Sequence, residues 1–404
     1  MDGESIRLPF YEGWIEFEVP VAWNITVVSP PDLPVLGDSN LLASFEKPIG
    51  SLPLRQIARG RKSAAVIVED VTRPMRIDRL VPIVLRELES AGIASENIVI
   101  VSAVGCHKAQ TGPDFRRKLG NDVVDRYRTL SPSLYDQLTC LGKTSRGTPV
   151  HVSSAVADAD VKVGVGGILP HSSAGFGGGG KTALPGVCGF ETISEHHLKT
   201  LKSGGELGIV DGNAFREDLE EAARILGLDF IVNAVIGTSR DIAGLFAGDM
   251  IEAHRAGVEF ARHAYGVRAK GNADLAIISA YPEDFDLIQS TKALCPGMGP
   301  SSVKEDGTVI LISACPDGVG YHSLYGPTGP GHGGFKQRRI EQIGSRELVV
   351  CSPGIGPKEM LDVFPPEVKL YKRIEQAIDD IARRYPAAEV NVFPFGAVSL
   401  ILRD

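Results

Sequence analysis

The sequence predicts an α/β protein of two domains with mainly parallel sheets, introduced by an N-terminal β-hairpin. Three observations lead there. The chain, at 404 residues, is too long for one ordinary core. Its first twenty residues alternate apolar and polar side chains, whereas most of the remainder alternates short apolar runs with amphipathic helical stretches. Such βα alternation implies a parallel sheet covered on both faces. Ligands of these folds sit beyond the carboxyl ends of the strands, so the active site is expected there, in the cleft between the domains.

In chain order, residues 6–19 alternate about Glu12-Gly13, the period-two pattern of a hairpin. A strand over 64–68, a helix over 77–92, a strand over 98–104, a strand over 161–165 and a helix over 216–226 follow. A helix over about 248–265 stops at Gly266, and after Gly271-Asn-Ala a new series begins with a strand over 275–279. The boundary is therefore placed near residue 268, giving a cofactor-binding and catalytic domain over 1–268 and a C-terminal α/β domain over 269–404. The latter carries strands over 309–313, 348–351 and 390–393 and a helix over 374–384. No internal repeat or low-complexity segment interrupts the series.

Composition narrows the function. Apolar residues make up 43% and charged residues 23%, and no apolar run approaches a membrane span, so a globular protein with no membrane partner is expected. The start Met1-Asp2-Gly3-Glu4 lacks the basic and apolar segments of a secretory signal, which points to the cytoplasm. A net charge of −8, with no Lys/Arg stripe among aromatics, argues against a nucleic-acid partner. The six cysteines stand singly, without a C-x-x-C pair, and read as reduced thiols. Glycines gather at 175–180 and 326–334, marking loops with a purpose.

Four candidate clusters fall at or after predicted strand ends. In Asp70-x-Thr72-Arg73-Pro74, Arg73 offers a planar fork for a carboxylate or phosphate, or else pairs with Asp70 at a helix entry. In Gly105-Cys106-His107, the imidazole suits a general base or a metal ligand. The richest run is His171-x9-Lys181-x15-His197. Within it Gly175 to Lys181-Thr182 satisfies the Walker A pattern, yet Pro185 would break the helix that a P-loop requires after its lysine. Its glycines, Gly177, Gly178, Gly179 and Gly180, would let backbone N–H groups approach an anion. Lys181 is then either a point charge on phosphate or a covalent attachment nucleophile. Of His196 and His197, about 100° apart on a helix, one faces the loop and the other is solvent-facing or packed. Last, Gln289 and Lys292, three apart after the strand over 275–279, share a helix face that meets a ligand or is simply exposed.

Together these motifs resemble the nickel-pincer nucleotide-dependent lactate racemase family, a family of 2-hydroxy acid racemases and epimerases. The resemblance rests on Asp70-x-Thr72-Arg73-Pro74, Gly105-Cys-His107, Pro170-His171-x-x-Ala-Gly-Phe-x-Gly-Gly-x-Lys181-x-x-x-Pro-Gly186 with His197, and Gln289-x-x-Lys292, and extends over nearly the whole chain. It implies a nickel pyridinium-3,5-bisthiocarboxylic acid mononucleotide tethered covalently through Lys181, installed by cofactor-maturation proteins, with His197 as nickel ligand. Asp70, Thr72 and the four glycines join the cofactor-binding set. His107 and His171 become the acid/base catalysts, and Arg73, Gln289 and Lys292 the substrate holders. The implied reaction inverts C2 of a small 2-hydroxy acid by reversible hydride transfer through a 2-keto acid.

The sequence also departs from that family. Ile288 stands where a Tyr is expected before the binding Gln, and the only tryptophans are Trp14 and Trp23, so none is available from the second domain to cover the substrate. A larger or more hydroxylated acid, including a sugar acid, is expected in place of lactate. The 326–334 loop, with His322 or His332, is a candidate source of new polar contacts. The rival readings are a nucleotide phosphohydrolase, a zinc hydrolase built from His107, His171, His197 and Asp70, and a binding protein in which the cofactor is never installed.

Overall fold

A computed structural model describes residues 3–200, 205–297 and 302–402. The chain divides into two compact units, one comprising Met1–Pro31 with Tyr265–Asp404 and the other Asp32–Ala264. No helix among the described residues is long and apolar enough to cross a membrane.

The hairpin forms as expected: β1 (Gly3–Phe10) pairs antiparallel with β2 (Gly13–Pro20), placing Ile6 opposite Phe17. A further strand, β3 (Trp23–Val27), follows it. The sheet of the unit over 32–264 is built from β4 (Ala64–Glu69), β5 (Ile98–Ala103), β6 (Arg128–Leu130) and β7 (Val161–Gly167). Two short strands, β8 (Pro170–His171) and β9 (Gly175–Phe176), follow, and then α1 (Phe190–Thr200) and α2 (Ala214–Leu226). The hairpin of β10 (Phe230–Ile236) and β11 (Ile242–Gly248) completes the sheet, and α3 (Glu252–Tyr265) closes the unit.

The strand order is β11-β10-β7-β4-β5-β6, parallel throughout except for the β10–β11 edge pair. Residues 64–68 are all buried, as a strand covered on both faces requires. From β4 the chain runs outward through β5 and β6, then returns to lay β7 on the other side of β4. The carboxyl ends of β4 and β7 thus form a topological switch point, where open α/β sheets bind ligands. The helix expected from 248 begins at Glu252, because Gly248 ends an antiparallel strand that the sequence reading missed.

The other unit has β12 (Ala273–Ser279), β13 (Val303–Ile312), β14 (Glu347–Cys351), β15 (Lys369–Tyr371), α4 (Ile374–Ala382) and β16 (Ala388–Phe393). Its sheet runs β15-β14-β13-β12-β16-β3, all parallel. Alternate residues of β12 serve opposite faces: Leu275 and Ile277 pack with the hairpin and α4, whereas Ala276 and Ile278 pack with Phe335 and Met360. The division expected at 268 therefore differs from the observed one at the start of the chain. Residues 1–31 belong with the C-terminal sheet, where Trp23 lies opposite Ala388 and Ile25 opposite Val390. Alternation shows that a strand has one buried face, but it does not say which sheet covers that face.

Candidate active site

Beyond the end of β4, Asp70 is buried and accepts hydrogen bonds from the Thr72 backbone N–H at 2.7 Å and from the Thr72 hydroxyl. His107, in the loop after β5, brings Nδ1 to 2.8 Å from Asp70 Oδ2. Burial alone would raise the Asp70 carboxyl. His107, as charge and as hydrogen-bond donor, followed by the Arg73 charge and Thr72, outweighs burial and holds the group well below the carboxylate range. The Arg73 N–H closes a turn onto the Asp70 carbonyl at 3.2 Å. Asp70 and Thr72, expected in the cofactor-binding set, are therefore seen orienting one another and His107. Glu69, not singled out from sequence, ties the strand ends together. It accepts from Lys118 Nζ at 2.9 Å and from the Gly167 N–H at 3.0 Å.

The loops bearing His107 and Lys181 are neighbours, since the Gly105 N–H donates to the Gly186 carbonyl at 3.0 Å. Gly105 has a φ of +51°, and a Cβ there would lie 3.2 Å from Pro185, so a larger residue is both strained in its backbone and crowded by that ring. His171, in β8, is held by its own turn: its Nδ1 accepts the N–H groups of Ser173 at 3.2 Å and Ala174 at 3.1 Å.

The glycine run is fastened to the protein beneath it. Gly177 donates its N–H to the Leu169 carbonyl at 2.7 Å, and Gly179 donates to Asn233 Oδ1, also at 2.7 Å. A Cβ at Gly178 would reach 2.7 Å from Asn233 Oδ1, and one at Gly180 3.0 Å from the Ala223 Cβ. The buried Arg216 guanidinium donates to the carbonyls of Ala174, Phe176 and Gly178, and His254 Nε2 donates to the Gly177 carbonyl at 2.8 Å. Burial lowers Arg216 to about 10 and keeps His254 neutral, with the Arg216 charge adding to the effect on His254. The expectation that Gly177–Gly180 present their N–H groups to an anion is corrected for Gly177 and Gly179, whose donors point inward. These glycines permit close packing under a half-buried Lys181. The Walker A alternative fails locally too, because Lys181 lies in a four-residue 3-10 turn, Gly179–Thr182, with no α-helix behind it.

On α1, His196 is fully buried, with Nδ1 at 2.8 Å from Asp218 Oδ2; burial lowers its pKa first, and the nearby Lys181 charge lowers it further. His196 is thus the packed member of the pair. His197 is half-buried and donates Nδ1–H to the Ile193 carbonyl at 2.9 Å, which orients its ring. Among the described residues no three His, Cys, Asp or Glu side chains are grouped to hold a metal, so the zinc-hydrolase arrangement is not found. One oriented imidazole beside a lysine loop fits a metal that takes its other ligands from an organic cofactor.

In the other unit, the loop after β12 leads into a short helix, Leu287–Ser290, and a 3-10 turn, Thr291–Ala293. Gln289 and Lys292 therefore lie on successive single turns rather than on one helix. Gln289 is buried, not part of an exposed face, and its N–H is capped by Asp286 Oδ1 at 2.8 Å. Lys292 pairs with the buried Glu283 at 2.6 Å. Glu283 was not singled out from sequence, where it stands in the acidic run Glu283-Asp284-Phe285-Asp286 with nothing to distinguish it from its neighbours. His322 and His332 build their own loop: His322 Nδ1 accepts from Leu324 and Tyr325 N–H groups, and His332 Nδ1 lies 3.1 Å from the Tyr325 carbonyl.

The family model described as the lactate racemase N-terminal domain matches residues 10–208. A lactate racemase of Lactiplantibacillus plantarum is 30% identical over 382 residues, covering 87% of this chain and 88% of that protein. A lactate racemase of Thermoanaerobacterium thermosaccharolyticum is 31% identical over 288 residues, covering 70% and 67%. The solved structure of the lactate racemase apoprotein from T. thermosaccharolyticum matches with a TM-score of 0.81 at 24% identity, over 99% of this chain and 100% of that one. A Thermotoga maritima protein shares the fold at a TM-score of 0.67 and 15% identity, over 92% and 100%. Sequence identity sustained across most of both chains carries the assignment: this chain belongs to the lactate racemase family.

Proposed function

We propose that the protein is an isomerase that inverts the C2 centre of a 2-hydroxy acid through a 2-keto acid, using a nickel-pincer nucleotide attached to Lys181. The observation that carries this reading is the Asp70–His107 pair at the switch point, a carboxylate-oriented imidazole of the kind that general acid/base chemistry requires. The α-hydrogen of a 2-hydroxy carboxylate is very weakly acidic, so removing it with its electron pair avoids a carbanion beside an ionised carboxylate. When bound, the nucleotide supplies a reversible hydride acceptor. His107 and His171 form the acid/base pair that moves the hydroxyl proton. Arg73 fixes the substrate carboxylate through its planar fork, and Gln289 and Lys292 hold the rest. His197, with its tautomer set by Ile193, is the protein ligand to nickel.

Ile288 in place of a Tyr and the absence of tryptophan from residues 269–404 support a substrate other than lactate, and the buried Glu283 beside Lys292 is an acceptor carboxylate suited to additional hydroxyl groups. Ile288 packs within the apolar cluster beneath β12 and provides no hydroxyl at that position. A sugar acid meets this description. The chemistry belongs with a small-molecule substrate and with maturation proteins that install the cofactor.

Mass spectrometry and metal analysis of protein matured with its cofactor-forming partners are expected to show an adduct on Lys181 and bound nickel. Such enzyme is expected to invert C2 of at least one acid in a screen of 2-hydroxy and sugar acids. ATP hydrolysis by nickel-free protein, or inversion that persists in Lys181→Ala, overturns the assignment.

A further inference from the structure

The acidic run Glu283-Asp284-Phe285-Asp286 follows β12 and is buried throughout, which carboxylates tolerate only when each is given partners. The three carboxylates serve three different places. Glu283 pairs with Lys292 at 2.6 Å, and Asp286 caps the Gln289 N–H at 2.8 Å. Asp284 reaches to the other end of the chain: its Oδ2 accepts the backbone N–H of Tyr11, in the turn between β1 and β2, at 2.7 Å. Two further contacts seat the same turn on the same loop. The Ser279 hydroxyl, at the end of β12, donates to the Pro9 carbonyl at 2.7 Å and accepts the Tyr281 N–H at 3.2 Å. The Tyr11 ring meets the Phe285 ring edge-on, with centroids 5.2 Å apart. All of these residues belong to one compact unit.

The turn itself is strained. Phe10 pairs with Gly13, leaving Tyr11 and Glu12 as a two-residue loop, and such a loop needs a positive φ at its first central position. Tyr11 supplies a φ of +53°, where Gly or Asn fits readily and a bulky ring does not. An aromatic residue held there is explained by what its ring touches rather than by the turn. We infer that the N-terminal hairpin turn is a working part of the substrate-holding site: Tyr11 sets the loop over 280–286, and through Glu283 and Asp286 that loop sets Lys292 and Gln289. This rests on the proposed function, in which Gln289 and Lys292 hold the substrate, and adds the residues that hold them. Tyr11 is a positioning residue, acting through Asp284 and Phe285. Gln289 and Lys292 grip the substrate alike before and during reaction, so loosening the loop weakens binding more than turnover. The membership of residues 1–31 in the C-terminal unit thereby acquires a use beyond completing its sheet.

Tyr11→Gly removes the ring and relieves the backbone, whereas Tyr11→Phe keeps a ring against Phe285. Hydrogen exchange of the full-length, cofactor-free protein, followed by mass spectrometry, reads the loop directly. For Tyr11→Gly the expected result is exchange about tenfold faster over residues 280–293, with β13 and β14 exchanging as in wild type and Tyr11→Phe matching wild type throughout. Unchanged exchange over 280–293 overturns the inference. So does acceleration spread evenly over β13 and β14, because the turn then supports the whole sheet rather than the loop. With matured enzyme and lactate, glycerate and gluconate as probes, Tyr11→Gly is expected to raise KM about tenfold with kcat within about threefold, and Tyr11→Phe to restore KM. A fall in kcat at unchanged KM, or a Tyr11→Phe variant as impaired as Tyr11→Gly, overturns the positioning role. If matured wild-type enzyme inverts none of these acids, the proposed function falls, while exchange still decides whether the turn sets the loop.

Discussion

Asp70 acts on its surroundings twice, through Thr72 and through His107, and both actions depend on its charge. Asp70→Asn keeps the shape and removes that charge. Turnover of the matured variant is expected to fall by about a hundredfold or more, because the His107 imidazolium loses its counter-charge. The pH dependence has a fixed sign. The folded carboxyl is depressed, so its contribution to stability is fully present above the ordinary carboxylate pKa, about 4, and is lost as pH falls through the lower folded value. Urea unfolding of wild type and Asp70→Asn should therefore differ by a constant amount above about pH 5 and converge on acidification. In the other unit, Glu283→Gln removes the charge partner of Lys292. Stability is expected to drop by about 1.5–3 kcal/mol, the worth of a hydrogen bond to a charged group, measured by the same unfolding method.

At the scale of the element, the central loop is held from below, and α2 is the element that holds it. Its N-cap, Asn213, accepts from the Arg216 N–H at 3.1 Å, and its C-cap, Gly227, takes a left-handed φ of 76°. This fixes Arg216 one turn into the helix, where its guanidinium meets three carbonyls of the loop between His171 and Lys181. Arg216→Met keeps the length but leaves those carbonyls buried without their donor. The expected loss is about 3–5 kcal/mol, seen as a lowered urea midpoint with an unchanged slope. The adduct on Lys181 should fall in the same variant. The glycines enter the same account, since side chains at Gly178 or Gly180 would displace Asn233 or press on Ala223.

For the whole molecule, the first residues complete the last sheet. Trp23 is buried, and its Nε1–H donates to the Tyr385 carbonyl at 2.8 Å, whereas Trp14 is exposed. Intrinsic fluorescence is therefore expected to report mainly on β3 docking against β16. Trp23→Ala should destabilise this unit by about 3–5 kcal/mol, read by far-UV circular dichroism in denaturant. A truncation lacking residues 1–31 should expose the edge of β16 and aggregate, whereas the same cut at a domain border would leave both sheets intact.

The sequence by itself determined the α/β class, the parallel strands and the loops that carry His107 and Lys181, because hydrophobic period and turn residues are local properties. It also argued against the Walker A match, since Pro185 is incompatible with a helix after Lys181, and the 3-10 turn at Gly179–Thr182 bears that argument out. Only the tertiary structure decided that residues 1–31 join the C-terminal sheet, that Gly177 and Gly179 turn their donors inward, that His196 is the packed histidine of its pair, and that Glu283 pairs with Lys292. Each of these is set by a partner distant in the chain. A covering sheet, a buried guanidinium or a counter-charge leaves no periodic mark on the residues that depend on it.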